Sequence, residues 1–231
     1  MMSSIDVVVL HSGITDSGEW DAVRPQLESS HRVVSPDLWQ ARPLVDLVLD
    51  AIPGERAALV GTSFGGRGAL EAAAAAPERV EALVLIGTNP FGWSDDVRAV
   101  GAEEEALYEA GRLDDAAALM IRAWLVGARR EEDDVPADLR ERVFSMQRGA
   151  YDRGQADGGS FDLDRVRAPL LYLRGELDWP DTATAAQRLV RSLPDAREVV
   201  ISGCAHLPTI ERPDEVAGLI LDFLASSAAA R

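Results

Sequence analysis

The hexapeptide Gly61-Thr62-Ser63-Phe64-Gly65-Gly66 places a serine with a glycine two residues before it and another two residues after it. The bare Gly-x-Ser-x-Gly spacing is a weak signal, since chance puts it in roughly one chain in ten of this length. Its surroundings make it specific. It follows the apolar run Ala57–Val60 and opens an alanine-rich stretch, Gly65–Ala76, that Pro77 ends. A serine on such a strand-to-helix turn is lifted above the sheet on strained backbone. The glycines leave room for strand and helix to cross. The helix N-terminus behind the serine favours developing negative charge. The chemistry this allows is nucleophilic attack by the Ser63 hydroxyl.

A serine hydroxyl needs a base to become a nucleophile. The chain has three histidines, His11, His31 and His206. His31 precedes a short strand in a Ser-Ser-His-Arg turn and is expected at the surface. His11 closes the first strand. His206 lies in Gly203-Cys204-Ala205-His206-Leu207-Pro208, directly after the last strand. That is a strand's carboxyl end, the side of the sheet where Ser63 sits, so His206 is the expected base. A histidine base needs an acid that holds its tautomer. Asp178, in Gly175-Glu176-Leu177-Asp178-Trp179, follows the preceding strand and is the expected acid. Glu176 competes two residues earlier. Asn89 stands at the end of the fourth strand, where an acid could otherwise have been.

Positioning these groups requires a parallel sheet. Short apolar runs alternate with helical patterns, which predicts an α/β fold: a doubly wound, mostly parallel six-stranded sheet. The strands are expected at 5–10, 32–35, 56–61, 80–87, 169–174 and 197–201. Helices are expected at 20–27, 43–52, 65–76, 182–193 and 213–224, with a frayed tail from Ala225. The stretch 91–159 breaks the rhythm. It has no convincing strand, and helical patterns cover 103–111, 113–126 and 138–151. Its run Arg129-Arg130-Glu131-Glu132-Asp133-Asp134 reads as an exposed loop. This predicts a core of 1–90 and 160–231 with an all-helical cap, 91–159, over the carboxyl ends of the strands. Open α/β sheets bind ligands at that edge.

Composition narrows the partners. The 231 residues carry 39 acidic and 23 basic side chains, a formal charge of −16. That balance repels phosphates and anionic lipid, so neither nucleic acid nor a membrane surface is expected as partner. The single Cys204 excludes an internal disulfide. No apolar run reaches the length of a membrane span. Met1–Ser4 offers no basic leader, so a cytoplasmic protein is expected. Three scattered histidines give no zinc pattern, and no Gly-rich nucleotide loop is present. No cofactor or metal is expected.

The order Ser63, Asp178, His206 resembles the nucleophile–acid–base order of the α/β-hydrolase superfamily, over nearly the whole chain. His11-Ser12-Gly13, followed by Trp20, is similar to that family's oxyanion loop, with Ser12 where glycine is usual. The resemblance implies an oxyanion hole from the backbone N–H groups of Gly13, or Ser12 beside it, and Phe64. His206-Leu207-Pro208 with Glu211-Arg212-Pro213 is similar to the family's C-terminal pattern. With the first strand expected from residue 5, the family's usual N-terminal hairpin is not expected here. The nearest likeness is to small capped esterases and enol-lactonases. The implied activity is cleavage of a small apolar carboxylic ester or lactone through an acyl-enzyme. The expected pocket lining is apolar: Ile14, Phe64, Phe91, Trp93, Trp124, Trp179 and Leu207. Alternatives are a lyase of the same fold, which would use a polar group such as Thr15 near the oxyanion loop, a cofactor-free perhydrolase or haloperoxidase, and a non-catalytic binding protein. The substrate is expected to be a small molecule; oligomeric state is not legible.

Overall fold

The computed structural model describes residues 5–154, 156–193 and 195–229. Among the described residues there are six strands: β1 (Val7–Leu10), β2 (Val33–Val34), β3 (Ala57–Thr62), β4 (Val80–Ile86), β5 (Leu170–Gly175) and β6 (Ala196–Ile201). They form one sheet in the order β2-β1-β3-β4-β5-β6, and every neighbouring pair is parallel. The order runs outward from β1 in both directions, so the carboxyl ends of all six strands share one edge.

Successive side chains of a strand point to opposite faces, and here both faces are buried. Val8, Leu10, Leu59, Leu83, Leu85 and Tyr172 pack on one face. Helices α2 (Leu44–Asp50), α3 (Phe64–Ala75) and α7 (Pro180–Ser192) cover it through Leu44, Val48, Leu70, Ala186 and Leu189. Val7, Val9, Val60, Val84, Ile86 and Leu173 pack on the other. Trp20, Leu27 of α1 (Arg24–Glu28) and Val216, Ile220 and Phe223 of α9 (Pro213–Ala229) cover that face. This is the doubly wound arrangement expected.

Three departures from the expected elements are larger than two residues. The segment 20–27 is not one helix. Asp16 caps a 3-10 turn at Ser17–Trp20 through the Gly18 N–H, and α1 starts only at Arg24, with Pro25 in its first turn. The last helix runs past Leu224 to Ala229; Met1–Ser4 and residues 230–231 lie outside the described residues. The third difference falls between β4 and β5, where the helix expected at 103–111 starts already at Asp95 and ends at Glu109. Helices α4 (Asp95–Glu109), α5 (Leu113–Met120) and α6 (Ala137–Ala150) follow one another, and α5 passes directly into a π-helical turn, Ile121–Val126. Met120, Ile121, Leu125, Val126 and Val143 of these elements bury against Ile14 and Leu207, in loops at the carboxyl edge of the sheet, and against Ile210 on the short helix that follows Leu207. Among the described residues no helix is long and apolar enough to cross a membrane.

Of residues 129–134, expected as an exposed loop, all are exposed except Arg130. Its side chain is only 10% exposed. It donates to the Leu125 carbonyl (2.6 Å) and the Val126 carbonyl (2.9 Å), and it pairs with Glu211 Oε2 at 2.6 Å. Glu211 lies on α8 (Pro208–Glu211), and its other oxygen accepts from the Ala205 N–H at 2.9 Å. One buried ion pair thus ties the end of the π-helical turn to the loop that carries His206.

Candidate active site

Ser63 occupies the turn between β3 and α3 with φ 50° and ψ −108°, a conformation that L-residues avoid. The fold holds it there. Its N–H donates to the Ile86 carbonyl at 2.7 Å, and its carbonyl accepts from the Arg67 N–H at 3.0 Å. The flanking glycines are required by space. A Cβ on Gly61 would lie 2.5 Å from the Gly65 backbone, and one on Gly65 would lie 2.4 Å from the Leu10 carbonyl oxygen.

His206 and Asp178 are both buried, at 2% and 6% exposure. His206 Nδ1 lies 2.9 Å from each Asp178 carboxylate oxygen. A ring that donates from Nδ1 to a carboxylate leaves Nε2 as its acceptor nitrogen. Gly87, at φ +58°, closes the space behind the pair. A Cβ there would come within 3.1 Å of the imidazole and 3.3 Å of Asp178. Trp124, on the π-helical turn, covers the ring with centroids 4.4 Å apart, and the His206 N–H donates to the Trp124 carbonyl at 3.2 Å. π-turns within helices occur often at functional sites. Ser63 and His206 line one cavity of about 510 Å³, together with Ser12, Gly13 and Ile14. That volume is in the range of small-molecule sites.

The loop after β1 rests on a buried acid that sequence reasoning missed. Glu19 is fully buried. Its Oε2 accepts from the Ser12 N–H (2.7 Å) and the Thr15 hydroxyl (2.5 Å), and its Oε1 accepts from the Thr209 hydroxyl (2.8 Å). The Ser12 N–H is therefore engaged. Gly13 sits against the nucleophile turn, and a Cβ on it would lie 3.5 Å from Phe64 Cβ. His11 is buried beneath this loop. Its Nδ1 lies 2.8 Å from the Ser12 carbonyl, and its Nε2 accepts from the Leu38 N–H at 2.9 Å.

The remaining candidates sort cleanly. Glu176 turns away from His206. The Ser202 hydroxyl (2.6 Å) and the Gly203 N–H (3.2 Å) donate to its Oε2, and these bonds hold its carboxyl below the usual range. Asn89 caps its own loop, bonding to Gly92 and Phe91. His31 is half-buried rather than exposed, with Nδ1 3.0 Å from the Ile5 carbonyl. Cys204 is buried, and desolvation, then the Glu211 charge, push its thiol up to about 12.

Ile14, Trp93 and Trp124 line the cavity as expected, whereas Phe64, Phe91, Trp179 and Leu207 do not. The Phe64 side chain packs on the core beside α3. Phe91 packs there too, with the Arg188 guanidinium 3.8 Å from its ring centroid. Trp179 donates from Nε1 to the Ala123 carbonyl at 3.0 Å and packs against Trp124. Leu207 is fully buried between the sheet edge and the helices above it. Nor is the cavity apolar throughout. Trp39, Met120 and Ala150 share its wall with Glu104, Glu105, Tyr108, Gln147, Tyr151 and Arg153.

Residues 7–219 match the model of the alpha/beta hydrolase family, and the chain belongs to that family. It is 28% identical to a pimeloyl-[acyl-carrier protein] methyl ester esterase of Nitrosomonas europaea, over 91% of this chain and 92% of that protein. It is 31% identical to a 2-hydroxymuconate semialdehyde hydrolase of a Pseudomonas species, over 94% of this chain and 85% of that protein. Its fold is similar to that of the enol-lactonase from Burkholderia xenovorans, with a TM-score of 0.74 at 22% identity, covering 96% of this chain and 92% of that one.

Proposed function

We propose that the protein is a serine hydrolase that cleaves a small carboxylic ester or lactone through an acyl-enzyme. The observation that carries this reading is the convergence on one cavity of Ser63, on its strained turn, and His206, whose Nδ1 is held by Asp178. In this mechanism Ser63 Oγ attacks the carbonyl carbon while His206 Nε2 takes its proton. The buried Asp178 stabilises the imidazolium that forms. The Gly13 and Phe64 N–H groups hold the oxyanion. Each such donor is worth about 2.7–4 kcal/mol in the transition state. Ser12 is the weaker candidate for this role because its N–H already serves Glu19. His206 then protonates the departing alkoxide. Water, deprotonated by the same nitrogen, releases the acid and restores Ser63. None of these steps calls on a cofactor or metal.

In this reading residues 91–159 act as the cap, with Trp93, Met120 and Trp124 walling the reacting end of the substrate. The ester reading draws on the esterase among the relatives. A lyase is less well supported, because the Thr15 hydroxyl it would use is committed to Glu19. The test is hydrolysis of p-nitrophenyl acetate and butyrate by the protein and by its Ser63→Ala variant. Activity lost to background in a variant with an unchanged circular dichroism spectrum is the expected result. Equal activity in both proteins removes Ser63 from the chemistry.

A further inference from the structure

Away from Ser63, the cavity changes character. Three of the chain's five tryptophans (Trp39, Trp93 and Trp124) and two of its three tyrosines (Tyr108 and Tyr151) line it. Tyr108 and Tyr151 pack with centroids 5.5 Å apart, and Trp93 and Trp124 meet edge to face at 5.3 Å. Among these rings stand two carboxylates, Glu104 and Glu105. Glu104 Oε1 accepts from the Tyr151 hydroxyl at 2.7 Å and from Gln147 Nε2 at 3.0 Å. Gln147 is itself 2% exposed, and its Oε1 has no hydrogen-bond partner. The group therefore sets a carboxylate, backed by a buried amide oxygen without a partner, in an aromatic wall that is open to solvent at Glu105 and Tyr108.

Arg153, the one arginine on the cavity wall among the described residues, does not offset this. Arg153 is occupied by Asp37 at 2.7 Å, Asp16 at 3.6 Å and the Gly149 carbonyl at 3.3 Å. Among the described residues neither Glu104 nor Glu105 has an ion pair. Residues 91–160, which supply most of this wall, carry sixteen acids against nine arginines. A substrate carboxylate would meet like charge here. A cation would meet opposite charge, ring faces that attract it and an acceptor for its N–H.

We infer that this end of the cavity is a subsite for a protonated amine, so that the preferred substrates are small esters or lactones bearing a cationic nitrogen. The inference rests on Ser63 attacking a carbonyl in the same cavity, and it names the substrate class of that site. Desolvation, the largest effect on Glu104, raises its carboxyl above the ordinary range. A carboxylate left short of counter-charge behaves in this way, and a bound ammonium would supply that charge.

The test compares matched esters. Methyl esters with a terminal dimethylamino group, two to six methylenes from the carbonyl, are set against esters ending in isopropyl, which have the same shape without the charge. The monomethyl dicarboxylates give the opposite charge. At one or more spacer lengths, kcat/KM for the protonated amine is expected to exceed that for the isopropyl ester by at least about tenfold. Glu104→Gln keeps the shape and should bring the ratio below about threefold; Gln147→Met should lower it as well. Calorimetric titration of the same esters into Ser63→Ala reads binding without turnover. A preference for the amine there, with no hydrolysis by the unaltered protein, would uphold the subsite and sink the serine-hydrolase reading. Equal kcat/KM for amine and isopropyl esters at every spacer, a preference for the carboxylate, or a ratio unmoved by Glu104→Gln would overturn the inference.

Discussion

Gly65→Ala is the sharpest mechanical test of the site. A methyl group at this position would lie 2.4 Å from the Leu10 carbonyl oxygen and 2.6 Å from that of His11, where ordinary contact begins at 3.4 Å. Relief therefore requires about 1 Å of movement (3.4 less 2.4). β1 cannot supply it, because β2 and β3 hold it on both sides. The start of α3 must yield instead, and it carries the Ser63 turn and the Phe64 N–H. Overpacking of this kind costs about 1–3 kcal/mol, or roughly 2–12 °C in Tm for a chain this long. A displacement of about 1 Å between reacting groups costs about a hundredfold in rate. The assay is kcat/KM on p-nitrophenyl acetate beside a thermal melt. Gly101→Ala serves as the contrast. Gly101 is exposed within α4, and a Cβ there meets nothing within 4 Å. That variant should be neutral or up to about 1 kcal/mol more stable. A Gly65→Ala protein with unchanged Tm and kcat/KM would refute the steric account of the turn.

Other outcomes follow from buried groups. Arg130→Ala leaves Glu211 buried without its cation and frees the loop before His206; a loss of about 3–5 kcal/mol is expected in chemical denaturation, with a lower kcat, and a loss within 1 kcal/mol would refute the latch. Cys204 should not react with a water-soluble disulfide reagent at pH 8 in the folded protein and should react fully in denaturant, since burial keeps the thiol protonated; rapid native labelling would contradict its placement. Folding raises the Glu104 pKa, so this group opposes folding once the pH passes above its unfolded value. Glu104→Gln should therefore raise Tm at neutral pH, and the gain should vanish at acid pH, where the carboxyl is protonated in both states. A Tm gain that persists at acid pH would place the effect elsewhere than in ionisation.

The sheet was legible because short continuous apolar runs such as Ala57–Val60 and Val80–Ile86, bounded by turn residues, fit strands buried on both faces. The order of Ser63, Asp178 and His206 was legible because each follows a strand, and parallel strands bring their ends to one edge. What stayed hidden depends on partners far along the chain. Glu19 is 190 residues from Thr209, and Arg130 is 81 from Glu211; nothing local separates these side chains from solvated ones. A buried aromatic also reads alike whether it faces a pocket or a core, so Phe91 and Trp179 were placed at the cavity and Trp39 was missed. The acceptors Glu104 and Gln147 lie on different helices, α4 and α6, and only packing brings them together. For Glu104 the one local sign was the acidic composition of its segment.

The most direct test of the central claim is where a fluorophosphonate attaches. The reagent reacts with a serine only when a neighbouring base and an oxyanion site activate it. A single adduct on Ser63, within the tryptic peptide 57–67, is expected, and its loss in the His206→Ala variant. An adduct on another residue, no adduct at all, or labelling of Ser63 at the same rate without His206 would contradict it.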